Sequence, residues 1–198
     1  MKNPKRTAKI ARKTKETEIT VEINLDGSGK SSVSTGIPFL DHMLELFAKH
    51  GFFDLEIKAV GDLQVDCHHT IEDLGLVLGD AIAKAAGEKK GIRRYGWCVL
   101  PMDEALAMVS LDLSGRPYLV YDLVPPAAKV KDIDTRLFHE FFQALSVKSG
   151  MNLHIILMKG EEAHHVFEAV FKAFAKALDQ AVSHDSRISG VLSTKGTL

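Results

Sequence analysis

The sequence predicts an α+β fold, a two-layer sandwich formed by internal duplication, on three observations. A histidine signature occurs twice: His42 precedes His68-His69-Thr70-Ile71-Glu72, and at nearly the same spacing His139 precedes His164-His165-Val166-Phe167-Glu168. Each copy sits in the same succession of patterns, helical, then strand-like, then helical again. Stretches that alternate apolar and polar residues stand ahead of each copy, as expected of sheets covered by helices on one face.

Taken in order, residues 1–15 are basic and lack the apolar core and cleavage site of a secretory signal, so they read mostly as a solvated arm. Glu18–Leu25 alternates strictly, meets Asp26-Gly27 and leads into a second polar strand through Ser34, which looks like a hairpin. Phe39–Gly51 has helical apolar spacing and ends on a glycine. A strand over Phe53–Val60 and a helix from His68 to Ala86 complete the first half, and Gly87–Gly96 reads as the joint. The second half offers strands at Cys98–Leu100, Ala105–Leu113 and Tyr118–Leu123, with Ser114-Gly115-Arg116-Pro117 as a turn. A helix from Leu137 towards Gly150, a strand over Asn152–Met158 and a helix from His164 to Ser183 follow. Both halves must bury their apolar faces, so the chain reads as one domain of two repeats, about residues 10–92 and 93–187, with a tail over 188–198.

Composition narrows the function classes. Twenty-five Lys and Arg against 26 Asp and Glu leave a net charge of −1, which gives no support to a nucleic-acid or membrane-surface partner. No apolar run reaches the ~18 residues a membrane span needs. The two cysteines, Cys67 and Cys98, form no metal motif and suit a reducing cytoplasm. Nine histidines are the unusual feature of the composition, and their placement carries the chemistry.

On a helix, His68 and Glu72 stand one turn apart, as do His164 and Glu168, while adjacent histidines diverge by about 100°. Neighbouring histidines therefore reach two different ions. Two copies of three histidines and one glutamate give His42, His68, His69, Glu72, His139, His164, His165 and Glu168, enough for two ions with four ligands each. Imidazole and carboxylate without thiolate suit manganese, iron, nickel, cobalt or zinc. A single histidine pair would read as a surface feature of a helix start; the duplicated pattern points to metal. His50 reads equally as a helix-end residue or a substrate contact, and His154 and His184, unmatched in the repeat, read as structural or solvated.

Arg94 and Arg116 lie in turn-like contexts, where a planar guanidinium makes a good phosphate ligand. The tail segment Gly190–Gly196 adds Ser193, Lys195 and backbone donors, although on spacing alone a frayed terminus is the better reading.

Read together, these residues resemble the imidazoleglycerol-phosphate dehydratase family. The matching stretches include Lys15–Thr17, Leu25–Gly27, Gly36–Leu44, Asp66–Asp73, Gly91–Gly96, Pro101–Glu104, Asp112–Pro117, Ala163–His165 with Phe171–Phe174, and Ser193–Lys195, from about Arg12 to the C-terminus. One departure is Glu162, where the family commonly has asparagine. The resemblance implies repeats similar to domain 2 of ribosomal protein S5, two manganese ions per active site, and a cytoplasmic assembly of 24 identical subunits with sites between them. It also implies the eight metal ligands above, and substrate contacts at Glu16, His42, His50, His68, Arg94, Arg116, Lys172, Ser193 and Lys195.

The implied reaction dehydrates imidazole glycerol phosphate to imidazole acetol phosphate in histidine biosynthesis. The hydrogen removed sits on a carbon with no neighbouring carbonyl, so the ring must supply activation: ions on both ring nitrogens favour imidazolate, which expels the adjacent hydroxyl to give a diazafulvene. Glu72 and Glu168 serve the ions, and Glu16 is the expected base for the carbon-bound proton. A dinuclear phosphohydrolase and a metal-storage protein are the rival readings of the same ligands.

Overall fold

The computed structural model describes residues 6–198. In the first half, β1 (Thr7–Lys13), β2 (Thr17–Asn24), β3 (Ser31–Ser34), α1 (Pro38–Gly51), β4 (Asp54–Gly61) and α2 (His68–Ala86) follow one another. The second half runs β5 (Tyr95–Met102), β6 (Ala105–Asp112), β7 (Tyr118–Asp122), a two-residue pair β8 (Lys129–Val130) and β9 (Ile133–Asp134), α3 (Leu137–Ser149), β10 (Asn152–Lys159) and α4 (Ala163–Val182). The four-stranded sheets have orders β1-β2-β4-β3 and β5-β6-β10-β7. They match strand for strand, down to the parallel pairs β3 with β4 and β7 with β10.

Three local expectations change. The hairpin at Asp26-Gly27 does not form, because β4 inserts between β2 and β3. The Asp54 carboxylate accepts the backbone N–H groups of Ser28 and Lys30 at 2.8 and 3.2 Å and steers the connection across the strand end. Gly27 passes so close that a Cβ there would lie 2.2 Å from the Asp54 nitrogen. Residues 1–5 of the expected solvated arm lie outside the described residues, but Thr7–Lys13 is an edge strand paired with β2, with Lys9 and Lys13 on the outer face and Arg12 turned to Asp73 on the helix side. The joint is shorter than expected: β5 begins at Tyr95, and Gly96 is where α4 lies against the sheet, since a Cβ would fall 1.8 Å from the Ala177 carbonyl oxygen.

The helices of one half pack on those of the other. α1 lies on α4, where Phe47 stacks on Phe174 with centroids 5.3 Å apart. α2 lies on α3, where Gly75 and Gly79 let the backbones close; a Cβ would stand 2.4 Å from the Phe141 oxygen and 2.7 Å from the Leu145 oxygen. Phe138, Phe141, Phe142, Phe167 and Phe171 fill the remainder of this helical layer, fully buried, each contributing roughly 1.5–3 kcal/mol of burial free energy. The cross-repeat packing brings the start of α4 against the start of α1.

The two outer sheet faces differ. The first carries ion pairs, Lys9 with Glu22, Lys13 with Glu18 and Lys58 with Glu56. The second exposes Trp97, Val99 and Met158 around half-buried Met108 and Ile156. His154 lies exposed on this second face. No helix among the described residues is long and apolar enough to cross a membrane.

Candidate metal centre

The start of α4 is held by Glu162, whose carboxylate accepts the backbone N–H of His165 at 3.0 Å. Glu162 is thus the helix N-cap, a role open to any short acceptor and favoured for an anion by the helix dipole. Burial opposes its charge, but the backbone donors of His164 and His165 outweigh that and hold its carboxyl below the usual range.

From this fixed start the paired histidines splay, their rings 6.3 Å apart and inclined by 80°. His164 turns towards α1. Its Nε2 is 3.4 Å from Glu168 Oε2, one turn on, and its ring centroid is 5.8 Å from that of His42. One ligand atom from each of His42, His164 and Glu168 lies within 4.8 Å of the others. Phe39 packs edge-on against His164. Glu168 is buried; Lys172 Nζ takes its Oε1 at 2.5 Å and leaves Oε2 facing the histidines. Two imidazoles and a carboxylate converging at ligand spacing, without a thiolate, fit a divalent transition-metal ion.

In the first copy His68 Nε2 stands 3.4 Å from Glu72 Oε2, the same one-turn geometry. His139 does not join a group of that tightness. Where His42 is followed by fully buried Met43, His139 is followed by half-buried Glu140, which holds His139 Nδ1 at 3.1 Å, and Tyr121 packs edge-on against the ring. Among the described residues the His42 trio is the one group of at least three potential ligands so closely set.

His69 and His165 each face a carboxylate instead. Asp62 Oδ2 is 3.0 Å from His69 Nδ1, and Glu104 Oε2 is 2.7 Å from His165 Nδ1; these hydrogen bonds push both imidazoles above their usual value. Glu16 lies 4.0 Å from His69 Nδ1 on the turn between β1 and β2. Thr14 Oγ1 accepts the backbone N–H groups of Glu16 and Thr17, and Thr17 and Arg12 both bind Asp73 on α2, so the turn is tied beside Glu72. His50, on α1, has its imidazole pushed below the usual value by burial and then by the Lys172 and Lys176 ammonium groups.

A cleft of ≈ 480 Å³ opens beside His42 and His164, walled by Phe39, Leu63 and Ile133, with Lys131 and Asp132 at the tip of the β8–β9 pair. A second cavity of ≈ 670 Å³ is lined by Arg94, Arg116, Ser193 and Lys195, and by Arg187. The two share no lining residue. The tail is docked rather than frayed: Gly91 N donates to the Gly190 oxygen at 2.7 Å, and Lys90 bridges Val191. His184 bridges Ile92 and contacts the Gly91 carbonyl through Nδ1, a structural role. Arg94 is buried and bidentate to Asp112 at 2.6 and 2.9 Å, with a third bond to the Leu192 oxygen. Its fork chiefly anchors the tail, leaving two N–H groups for a ligand.

Residues 35–178 match the family model described as imidazoleglycerol-phosphate dehydratase. The chain is 62% identical to a protein of that name from Lachnoclostridium phytofermentans over 98% of both chains. It is 58% identical to one from Acetivibrio thermocellus, over 98% of this chain and 99% of the relative. Among solved structures, the dehydratase from Staphylococcus aureus superposes with a TM-score of 0.82 at 38% identity, over 90% of this chain and 99% of that one. The Pyrococcus furiosus enzyme, in complex with (S)-C348, gives 0.83 at 39%, over 96% of this chain and all of that one.

Proposed function

This chain belongs to the imidazoleglycerol-phosphate dehydratase family, and we propose that it works with two divalent ions, manganese first among them, held by the duplicated histidines and glutamates. Its reaction is the dehydration of imidazole glycerol phosphate in histidine biosynthesis, and the enzyme is a hydro-lyase. The observation that carries the metal reading is the convergence of His42, His164 and Glu168 from two repeats. His68 with Glu72, completed by His69, His139 and His165, accounts for the remaining ligands. When bound, the ions supply Lewis acidity towards the imidazole nitrogens and orient the ring.

The chain's own residues supply the other steps. Glu16, half exposed on its braced turn, takes the proton from the hydroxyl-bearing carbon. The hydroxyl beside the ring leaves before that transfer, taking a proton as water, and the enol that proton removal then gives becomes the ketone. Arg116, Ser193 and Lys195 hold the phosphate, with Arg94 keeping the tail in place. Lys172 pairs with Glu168, and His50, on α1, is a contact for the glycerol chain.

A substrate touching both cations and histidines must engage two cavities that share no lining residue. That requirement, with the apolar outer face of the second sheet, supports a homo-oligomer, of 24 subunits in this reading, whose sites lie between chains. We assign the enzyme to the cytoplasm, where the unbridged Cys67 and Cys98 stay reduced.

The test is to strip the protein with a chelator and add back manganese while following imidazole acetol phosphate and free phosphate. Recovery of ketone without phosphate release is expected. Phosphate release would transfer the reading to a phosphohydrolase, and no recovery with any divalent metal would overturn the metal mechanism.

A further inference from the structure

We infer that Glu104 is a positioning residue of this centre, fixing His165 so that Nε2 alone is offered to a metal ion, and that it is the diverged duplicate of Glu16. The inference rests on the reading of His165 as a metal ligand.

The duplication places the two glutamates at one position. Glu16 immediately precedes β2 and Glu104 immediately precedes β6, each at the end of a short antiparallel connection, with Lys13 paired to Glu18 and Met102 to Ala105. Each faces the second histidine of its own repeat, and both meet it at Nδ1. Their surroundings have then parted. Glu104 accepts from His165 through Oε2 at 2.7 Å, while its Oε1 accepts the backbone N–H groups of Glu161 and Glu162 at 3.2 and 3.0 Å. Three donors satisfy it and lock it to the start of α4. Glu16 stands 4.0 Å from His69 and keeps 54% of its side chain exposed. In the first repeat the orienting work has passed to Asp62, 3.0 Å from His69 Nδ1.

The chemistry follows from the inventory of imidazole. A neutral ring carries one N–H and one lone pair, so donation from Nδ1 to a carboxylate fixes the tautomer, sets the ring plane and directs the lone pair on Nε2 outward. A carboxylate behind a ligating histidine also raises its basicity. Asp103 Oδ2 and Glu162 Oε2 lie 3.7 and 4.0 Å from His165 Nε2, so that nitrogen opens onto an anionic surface suited to a cation. Occupied by three donors, Glu104 is unsuited to the proton transfer assigned to Glu16. One ancestral position has yielded a base in one repeat and a brace in the other.

Manganese titration of the stripped protein, followed by the electron paramagnetic signal of the free ion, tests this with Glu104→Ala, Glu104→Gln, Glu16→Gln and His165→Ala. Glu104→Ala should weaken manganese binding by about 10–100-fold, the usual consequence of losing an outer-shell partner. Glu104→Gln, whose amide oxygen still accepts Nδ1–H, should recover part of that affinity and turn over at saturating manganese, whereas Glu16→Gln should bind manganese normally. Wild-type manganese affinity in Glu104→Ala overturns the inference, whether or not its melting temperature falls. Glu104→Gln dead at saturating manganese also overturns it, because that is the behaviour of a catalytic residue. If Glu104→Ala fails to fold, manganese affinity of Glu104→Gln equal to wild type with turnover lost overturns it, and weakened affinity with turnover restored by excess metal upholds it. If His165→Ala itself binds manganese as wild type does, the reading of His165 as a ligand fails; loss there with wild-type binding in Glu104→Ala sinks only the role of Glu104.

Discussion

His42 and His164 face each other across the α1–α4 contact with ring centroids 5.8 Å apart, although they belong to different repeats. Glu168 completes the group from one turn along α4. His42→Ala and Glu168→Gln should each weaken metal binding by more than the ~10–100-fold cost of losing an outer-shell partner, with activity falling in parallel. With both residues on one ion, as proposed, the double variant should lose little more than either single one, a non-additivity that a titration of bound metal reads directly. Fully additive losses would place the two residues on separate ions. Glu72→Gln should likewise lose metal and activity together.

Glu16→Gln should behave differently. The glutamine keeps the braced turn but cannot take a proton, so turnover should fall roughly 10²–10⁴-fold with metal content unchanged. Full turnover in this variant would remove Glu16 from the base role.

Arg94→Lys and Arg116→Ala should separate anchoring from direct contact. Lysine cannot reproduce the bidentate bond to Asp112 together with the bond to the Leu192 oxygen, so Arg94→Lys should raise KM and also speed amide exchange across residues 188–198. Arg116→Ala should raise KM with exchange in the tail unchanged. Equal exchange in both would remove the anchoring role of Arg94.

Asp54→Ala should destabilise the protein by about 0.5–1.5 kcal/mol, the net worth of a hydrogen bond whose donors water can reach. The Ser28 N–H, with some opposition from burial and further help from Lys30, Asn24 and the Ser28 hydroxyl, holds the Asp54 carboxyl below its usual value of 3.8. A carboxylate depressed in the folded state contributes fully above its unfolded value and loses that contribution as pH falls through the folded one. The gap in melting temperature between wild type and variant should therefore be widest near neutrality and close below about pH 3.8. A gap independent of pH would rule out the charged form as the source.

Much of this was readable from residue order, for identifiable reasons. The doubled histidine signature fixed the helices to within a few residues at either end, because helical spacing and terminal glycines are local signals. Strand neighbours were not local: nothing around Asp26-Gly27 announces that Asp54, far along the chain, will divert the connection. β1 was hidden by its basic composition, and Gly96 by its likeness to a loop glycine when it is a point of close helix approach. The eight candidate ligands could be read from the repeat, but the meeting of His42 with His164 depends on helices of opposite halves packing together. Asp62, Asp73, Glu104, Asp112 and Arg187 were missed as partners. Asp73 and Glu104 lie inside stretches that stand out for other reasons, beside Glu72 and Asp103, and a comparison of equivalent repeat positions would have paired Glu104 with Glu16.

The docked tail bears on how the protein is handled. Leu198, the last residue, lines the same cavity as Arg116, Ser193 and Lys195, while Gly190 and Val191 are stitched to the loop between the halves. A purification tag fused after Leu198 would therefore emerge at the mouth of that cavity and crowd it. The choice of fusion end is thus a choice about crowding the space around Arg116, Ser193 and Lys195.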